Sequence, residues 1–120
     1  MDEESGARYA ARLRKSLDEL NRGAEIEEIL GGYSEDVVVL IPAAKPGDPV
    51  REAMFYGRAG LGDCLRRHVA TLSPLRALGL TMGSPTHAVA TIACRGGRQM
   101  TYEVEFDQTG LGRRVTISLV

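Results

Sequence analysis

Residues 87–106, HAVATIACRGGRQMTYEVEF, are the stretch that decides the fold. They are typical of two β-strands joined at Arg95-Gly96-Gly97-Arg98 by a two-residue Gly-Gly turn, because paired glycines adopt the positive φ angles that match strand twist. In the second strand apolar and polar residues alternate, and a period of two predicts one buried and one outer face. The residues predicted to face inward are Met100, Tyr102, Val104 and Phe106. We therefore expect a β-hairpin with Tyr102 on its inner face.

The same period continues on both sides of this hairpin. After a turn at residues 108–112, the alternating residues Val115, Ile117 and Leu119 predict a last strand. Residues 75–82 alternate as well, and the set predicted to share one face is Leu78, Leu80 and Met82. The second half of the chain is thus predicted to form four consecutive strands.

Two more strands are predicted in the first half. Asp36 to Ile41 is rich in β-branched residues on both faces, which indicates a doubly covered strand that ends at Pro42. Residues 43–49 are expected to form a loop, and Val50 to Tyr56 a strand that returns from it.

Three helices are predicted from apolar residues at helical spacing. The first runs from about Ser5 to Leu20, with Ala10, Leu13, Leu17 and Leu20 on one face. The second is short, presents Ile26, Ile29, Leu30 and Tyr33, and is broken by Gly31-Gly32. The third begins after Gly57 and stops at Ser73-Pro74, with Leu61, Leu65, Leu72 and either His68 or Val69 on its apolar face.

Composition restricts the class of protein. The 120 residues, 43% hydrophobic and 26% charged, are expected to form a single domain, 1–120. A net charge of −1 argues against a nucleic-acid partner. The longest apolar stretch before a proline, Val37 to Ile41, is far too short to span a membrane, and the acidic start lacks a signal peptide's features. A cytoplasmic protein is therefore expected.

The few cysteines and histidines do not form a metal-binding pattern. Cys64 and Cys94 are accompanied by two histidines, His68 and His87, and no zinc-ligand spacing occurs. We expect two reduced thiols, no metal and no cofactor.

The element order predicts an α+β fold in which a curved, largely antiparallel sheet wraps around three helices. Such a cone-shaped roll leaves a central pocket at its open end. At this point the sequence resembles the nuclear transport factor 2-like superfamily, in particular its bacterial SnoaL-like and ketosteroid isomerase-like branch, with a cystatin-like fold. The resemblance covers nearly the whole chain and is carried by residues 24–29, Tyr33-Ser34-Glu35-Asp36-Val37, Pro42, Tyr56-Gly57-Arg58 and Phe106-Asp107.

The resemblance also implies positions for catalytic groups. In the isomerases a carboxylate just before the strand-ending proline shuttles the proton, and here that position is Ile41. The tyrosine of their oxyanion hole aligns with Leu17, and the protonated acid of that hole aligns with Tyr102. Because an enolisation needs both a base and an oxyanion partner, steroid isomerase activity is not expected.

Candidate site residues follow from these patterns. Tyr102 is the candidate proton donor, and His68 is the candidate acid or base. Either side chain could instead be an ordinary residue of the core. Cys64 lies four residues before His68, which permits a nucleophile pair, but a buried inert thiol is the commoner outcome. Residues expected to contact a ligand through a mostly aliphatic lining are Leu13, Leu17, Ile41, Met54, Cys64, Met82, Met100 and Val104.

Two functions remain open from the sequence. The first is a pocket that binds a small apolar, carbonyl-bearing ligand and catalyses isomerisation, cyclisation or hydration. The second is a non-catalytic dimeric binding or assembly module whose cone is filled by side chains. In either case the apolar outer residues of the 36–41 strand predict a homodimer through the outer sheet face, while Glu103 and Glu105 are expected outside.

Overall fold

A computed structural model describes the backbone of residues 2–23, 26–42 and 53–119. Its helices are α1 (Asp2–Asn21), α2 (Glu27–Leu30) and α3 (Gly57–Cys64), and α3 continues as a π-helical turn (Leu65–Val69) and a 3₁₀ turn (Ala70–Leu72). Its strands are β1 (Tyr33–Ile41), β2 (Ala53–Tyr56), β3 (Arg76–Ser84), β4 (His87–Ala93), β5 (Gln99–Phe106) and β6 (Gly112–Leu119). The expected loop at 43–49 and the first residues of the strand predicted at 50–56 lie outside the described residues.

The six strands form one sheet in the order β2-β1-β6-β5-β4-β3. Neighbouring strands are antiparallel, apart from the parallel pair β1 and β6. Helix α1 packs against β3 and helix α3 against β1, so both helices cover the same face of the sheet near its two sides. The predicted α+β class with a curved, largely antiparallel sheet is confirmed.

The inner face of the sheet forms the core. Register places Tyr102 between Ala90 on β4 and Ile117 on β6, and all three side chains are buried. On β1, Val39 is fully buried opposite Val115. Burial of one such aliphatic side chain stabilises the fold by roughly 1.5–3 kcal/mol, so the alternating pattern of the sequence also defines the main source of stability.

The hairpin turn between β4 and β5 has the predicted backbone. Gly96 and Gly97 both have positive φ, +79° and +77°, which residues with a side chain rarely adopt. The backbone N–H of Cys94 donates to the carbonyl of Arg98 at 2.8 Å, so the turn contains three residues, one more than predicted.

Two predictions about local structure are wrong because tertiary contacts override a local pattern, and the third helix keeps its predicted bounds but changes its winding. The second helix is a single turn, and Tyr33 opens β1 because it pairs with β6. A bulge between Ala77 and Gly79 reverses the faces of β3, so Ala77 shares the inner face with Leu80 and Met82 while Leu78 is exposed. The third helix changes its winding to a π turn at Leu65–Val69.

The start of β3 is attached to the end of α1 by one side chain. The Asn21 amide donates to the carbonyl of Leu75 at 2.9 Å, and its oxygen accepts the Leu75 N–H at 2.7 Å. This clamp fixes the strand as it enters the sheet. In the described part of the chain, none of the helices combines the length and apolarity that a membrane crossing requires.

Candidate functional site

Helices α1 and α3 and the inner face of the sheet enclose a narrow space, here called the interior cavity. Its volume is about 40 Å³, enough for a few water molecules. Its wall is mostly aliphatic on the helix side and aromatic on the sheet side. The residues that line it are Tyr9, Arg12, Leu13, Ser16, Leu17, Leu20, Ile29, Gly32, Tyr33, Leu65, Val69, Ile92, Met100, Tyr102 and Phe106.

Two tyrosines on the sheet form a hydrogen-bonded pair in this wall. The hydroxyl groups of Tyr33 and Tyr102 lie 2.7 Å apart, although the residues are 69 positions apart in sequence. Each hydroxyl carries one proton, and a single hydrogen bond between them uses one of the two. The pair therefore retains one phenolic proton that can be donated to an oxygen in the cavity.

The ring of Tyr33 occupies space that exists because residue 112 has no side chain. A Cβ added at Gly112 would lie 2.6 Å from Cδ1 and 2.9 Å from Cε1 of Tyr33, closer than real contacts allow. The backbone of Tyr33 is held as well, because the Arg58 Nε–H donates to its carbonyl at 2.9 Å. Gly112 and Arg58 thus position the phenol that reaches Tyr102.

The phenols of the site are neutral donors. Burial raises the pKa of Tyr102 well above its usual value, and the nearby phenols Tyr33 and Tyr9 raise it further. Burial also raises the pKa of Tyr33, against an opposing effect of its hydrogen bond to Tyr102. Burial likewise raises the pKa of Tyr9. At neutral pH these groups can donate hydrogen bonds but cannot accept a proton as bases.

Tyr9 connects the tyrosine pair to the mouth of the cavity. Its ring packs edge-on against Phe106, with ring centroids 5.2 Å apart. Both side chains also line an outer pocket of about 300 Å³ between α1 and the β5–β6 turn. The two rings therefore form the constriction between the interior cavity and the outside.

The structure brings together four of the ten predicted site residues in the wall of the interior cavity. These are Tyr102, Leu13, Leu17 and Met100. Met82 lines the outer pocket at the mouth. Ile41, Cys64 and Val104 are fully buried in the core but are not among the residues that line the cavity.

Met54 lies far from the predicted position. Its partner across the β1–β2 ladder is Leu40, on the face opposite the buried Val39 and Ile41, and 52% of Met54 is exposed. The sequence prediction that Met54 lines the pocket is therefore corrected. Edge strand β2 directs this side chain to the outer face.

His68 is also directed away from the cavity wall. Its ring packs on Phe55 of β2, with centroids 5.6 Å apart, whereas Leu65 and Val69 line the cavity. The π turn explains this result, because its wider winding places Leu65 and Val69 on the inner face. Of His68 and Val69, the two alternatives predicted for the apolar face of the third helix, Val69 lies on it.

Cys64 does not have the properties of a nucleophile. The residue is fully buried, and burial raises the pKa of its thiol to about 12, with a further increase from Asp63. A thiol that stays protonated at neutral pH reacts slowly.

Sequence reasoning missed Tyr9, Tyr33, Arg12 and Gly112 as parts of the site. Tyr9 was overlooked because it lies beside Ala10 and Leu13 on an otherwise aliphatic helix face. Tyr33 was overlooked because the sequence pattern assigned it to the second helix. The pairing of Tyr33 with Gly112 across parallel strands β1 and β6 leaves no local signal. The expected aliphatic lining is thus corrected, since three tyrosines contribute to it.

No protein-family model matches the sequence, and no curated protein matches it. Solved structures do match. A SnoaL-like protein of unknown function from Burkholderia thailandensis has a TM-score of 0.73 at 13% identity, covering 98% of this chain and 96% of that chain. A steroid delta-isomerase from Pseudomonas aeruginosa has a TM-score of 0.68 at 16% identity, covering 92% and 78% respectively.

A third similar structure is that of a Mycobacterium tuberculosis protein in complex with estradiol-17β-hemisuccinate. Its TM-score is 0.64 at 14% identity, and the match covers 90% of both chains. At these identities the likeness concerns the fold. The chain has the fold of the nuclear transport factor 2-like superfamily, as the resemblance of its sequence implies.

Proposed function

We propose that this protein binds a small apolar ligand that enters the interior cavity and accepts a hydrogen bond from the Tyr33–Tyr102 pair. The observation that carries the proposal is the 2.7 Å contact between the two hydroxyls, which leaves one phenolic proton for a ligand oxygen. A carbonyl group is the expected acceptor, because both phenols are held neutral by burial.

The wall supports binding more directly than catalysis. Among the described residues that line the interior cavity there is no carboxylate and no imidazole. Isomerisation, cyclisation or hydration each requires a group that takes up a proton. A catalytic role would therefore depend on movement of His68 from its contact with Phe55, and His68→Ala tests this possibility by its effect on turnover once a ligand is known.

The similar structures agree with an apolar ligand. One is a steroid delta-isomerase and another contains estradiol-17β-hemisuccinate. Since this fold supports many unrelated functions, these names indicate a class of compound to test and no particular reaction.

The test is a thermal-shift screen against steroid ketones, phenolic polyketides, terpenoid ketones and short alkyl ketones. A ligand at 100 times its dissociation constant adds about 2.7 kcal/mol to the free energy of unfolding, which raises Tm by several degrees. Because Tyr33 alone would still carry one phenolic proton, both residues are changed, and the double variant Tyr33→Phe/Tyr102→Phe should reduce the affinity for a ketone that binds by roughly 5- to 10-fold. The matched control is Tyr56→Phe, because Tyr56 is 66% exposed on the opposite face. Equal effects of the two variants would refute the role of the pair.

A filled, non-catalytic module is the second candidate function. Ligand pockets usually measure roughly 300–1,000 Å³, whereas the interior cavity has about 40 Å³. Under this hypothesis side chains occupy the cone and no compound in the screen shifts Tm.

We also propose a homodimer through the outer face of the sheet. Val38 and Leu40 of β1 pair with Tyr56 and Met54 of β2 on that face, and the last two are among the most exposed large apolar side chains of the described chain. An apolar patch of this kind is typical of a protein interface. Sedimentation equilibrium at micromolar concentration should give twice the monomer mass, and Tyr56→Glu should restore the monomer. A monomeric wild type would refute the dimer.

A further inference from the structure

The guanidinium of Arg12 stands where three spaces meet. Arg12 lines the interior cavity, the outer pocket beside Tyr9 and Phe106, and a second outer pocket of about 360 Å³ further along the same face of α1. Of the described residues, Arg12 is thus the one that lines the walls of all three of these pockets.

Arg12 differs from other arginines of the chain in its ion pairing. Arg66 is paired with Glu27 at 3.1 Å, and Arg67 with Asp63 at 3.0 Å. Within the described residues no carboxylate lies within ion-pair distance of Arg12. Its side chain instead runs along the backbone at Gly32, where an added Cβ would lie 3.5 Å from Nη1 and 3.7 Å from Cδ.

Acidic residues also lie near the mouth, but within the described residues none of them forms an ion pair with Arg12. Asp107 lines the outer pocket, and its Oδ1 accepts the N–H groups of Thr109 and Leu111 within its own turn. Glu19 and Glu28 line the second outer pocket together with Arg12 and Lys15. In the described part of the chain the guanidinium of Arg12 is therefore near carboxylates but not engaged by them.

The positive charge of Arg12 also affects the pKa of two phenols in the wall, Tyr9 and Tyr33. Burial raises the pKa of Tyr9 and of Tyr33, and the guanidinium of Arg12 acts in the opposite direction on both. The Tyr9 hydroxyl makes no hydrogen bond to any other described residue. A guanidinium and a phenol with an unused proton are donors suited to a carboxylate.

We propose that the ligand is an amphipathic carboxylic acid whose carboxylate binds Arg12 at the mouth while its apolar body enters the interior cavity. This inference rests on the proposed function, because it requires the cavity to admit a ligand. It adds the chemical class of the ligand and a residue that selects it.

The experiment compares octanoate with 1-octanol, which share an apolar chain and differ in charge. Isothermal titration calorimetry at pH 7 should show octanoate binding about tenfold more tightly than octanol to the wild-type protein, as expected for a charge-assisted hydrogen bond. Arg12→Gln should weaken octanoate binding about tenfold and change octanol binding less than twofold. Arg12→Lys should retain part of the preference, since lysine keeps the charge without the bidentate geometry.

The matched control is Arg14→Gln, because Arg14 is an exposed arginine two residues further along the same helix. It should leave the binding of both compounds unchanged. Equal affinity for octanoate and octanol, or an Arg12→Gln protein that binds octanoate as the wild type does, would overturn the inference and leave the proposed cavity intact. Absence of octanoate binding would also overturn the inference, whereas the thermal-shift screen with ketones decides the proposed function separately.

Discussion

Replacement of Gly112 by alanine tests whether the tyrosine pair depends on the missing side chain. The new Cβ would lie 2.6 Å and 2.9 Å from two ring carbons of Tyr33. It would also lie 3.2 Å from Cγ1 of Val104, which is itself a tight contact. The Tyr33 ring must therefore move by close to an ångström, a shift that stretches the 2.7 Å contact between the phenol oxygens beyond hydrogen-bond length.

The expected cost combines two effects. Overpacking a buried site costs about 1–3 kcal/mol, and loss of one buried hydrogen bond adds about 0.5–1.5 kcal/mol. Together they lower the free energy of unfolding by about 1.5–4.5 kcal/mol, which urea denaturation measures from the transition midpoint. The control is Gly79→Ala, because a Cβ at Gly79 meets no atom within 4 Å; it should change stability by less than about 1 kcal/mol.

A double-mutant cycle separates this mechanism from a general intolerance of residue 112. Tyr33→Ala removes the ring that the new methyl group would strike, so Gly112→Ala should cost far less in that background. If Gly112→Ala is equally costly with and without the Tyr33 ring, the proposed steric coupling is refuted.

Three further predictions concern the frame around the site. Asn21→Ala removes both hydrogen bonds to the backbone of Leu75 and should lower the free energy of unfolding by about 1–3 kcal/mol in urea titrations, whereas a change within error would refute the clamp. Hydrogen bonds from Thr109 and Leu111 lower the pKa of Asp107, so this carboxylate stabilises the fold above pH 3.8 and the contribution is lost as pH falls below that value. In a plot of Tm against pH, Asp107→Ala should therefore reduce the fall of Tm at acid pH. An unchanged fall would contradict the role given to these hydrogen bonds. Burial raises the pKa of the Cys64 thiol from 9.0 to about 12, so the folded state retains a proton that the unfolded state loses, and stability should fall between pH 9 and pH 12. Cys64→Ala should reduce that alkaline slope, and native Cys64 should resist a thiol reagent that modifies it in urea.

The sheet was predictable because its signal is local. Met100, Tyr102 and Val104 alternate with polar residues, and the structure buries all three. Two glycines between the strands carry the positive φ angles that the turn needs. Strand periodicity and turn chemistry act over a few residues, so the sequence contains them directly.

The site was less predictable because its geometry depends on contacts between distant residues. Tyr33 reaches Tyr102 across 69 positions, and its ring fits because Gly112 lies beside it on β6. The orientation of His68 changes with the π turn, which apolar spacing alone does not reveal. Helical spacing left His68 and Val69 as alternatives on the apolar face of the third helix. In the structure α3 packs against β1, and Val69 is the residue buried on that face.

The chemistry of the wall constrains function more than its size does. The described polar groups of the interior cavity are phenols, a serine hydroxyl and a guanidinium. Burial keeps the phenols protonated, and an arginine does not release its proton, so this wall offers hydrogen bonds and positive charge but no base. These groups suit the proposed binding of a carbonyl or carboxylate compound. The proposed catalytic role would require a base from outside the described wall.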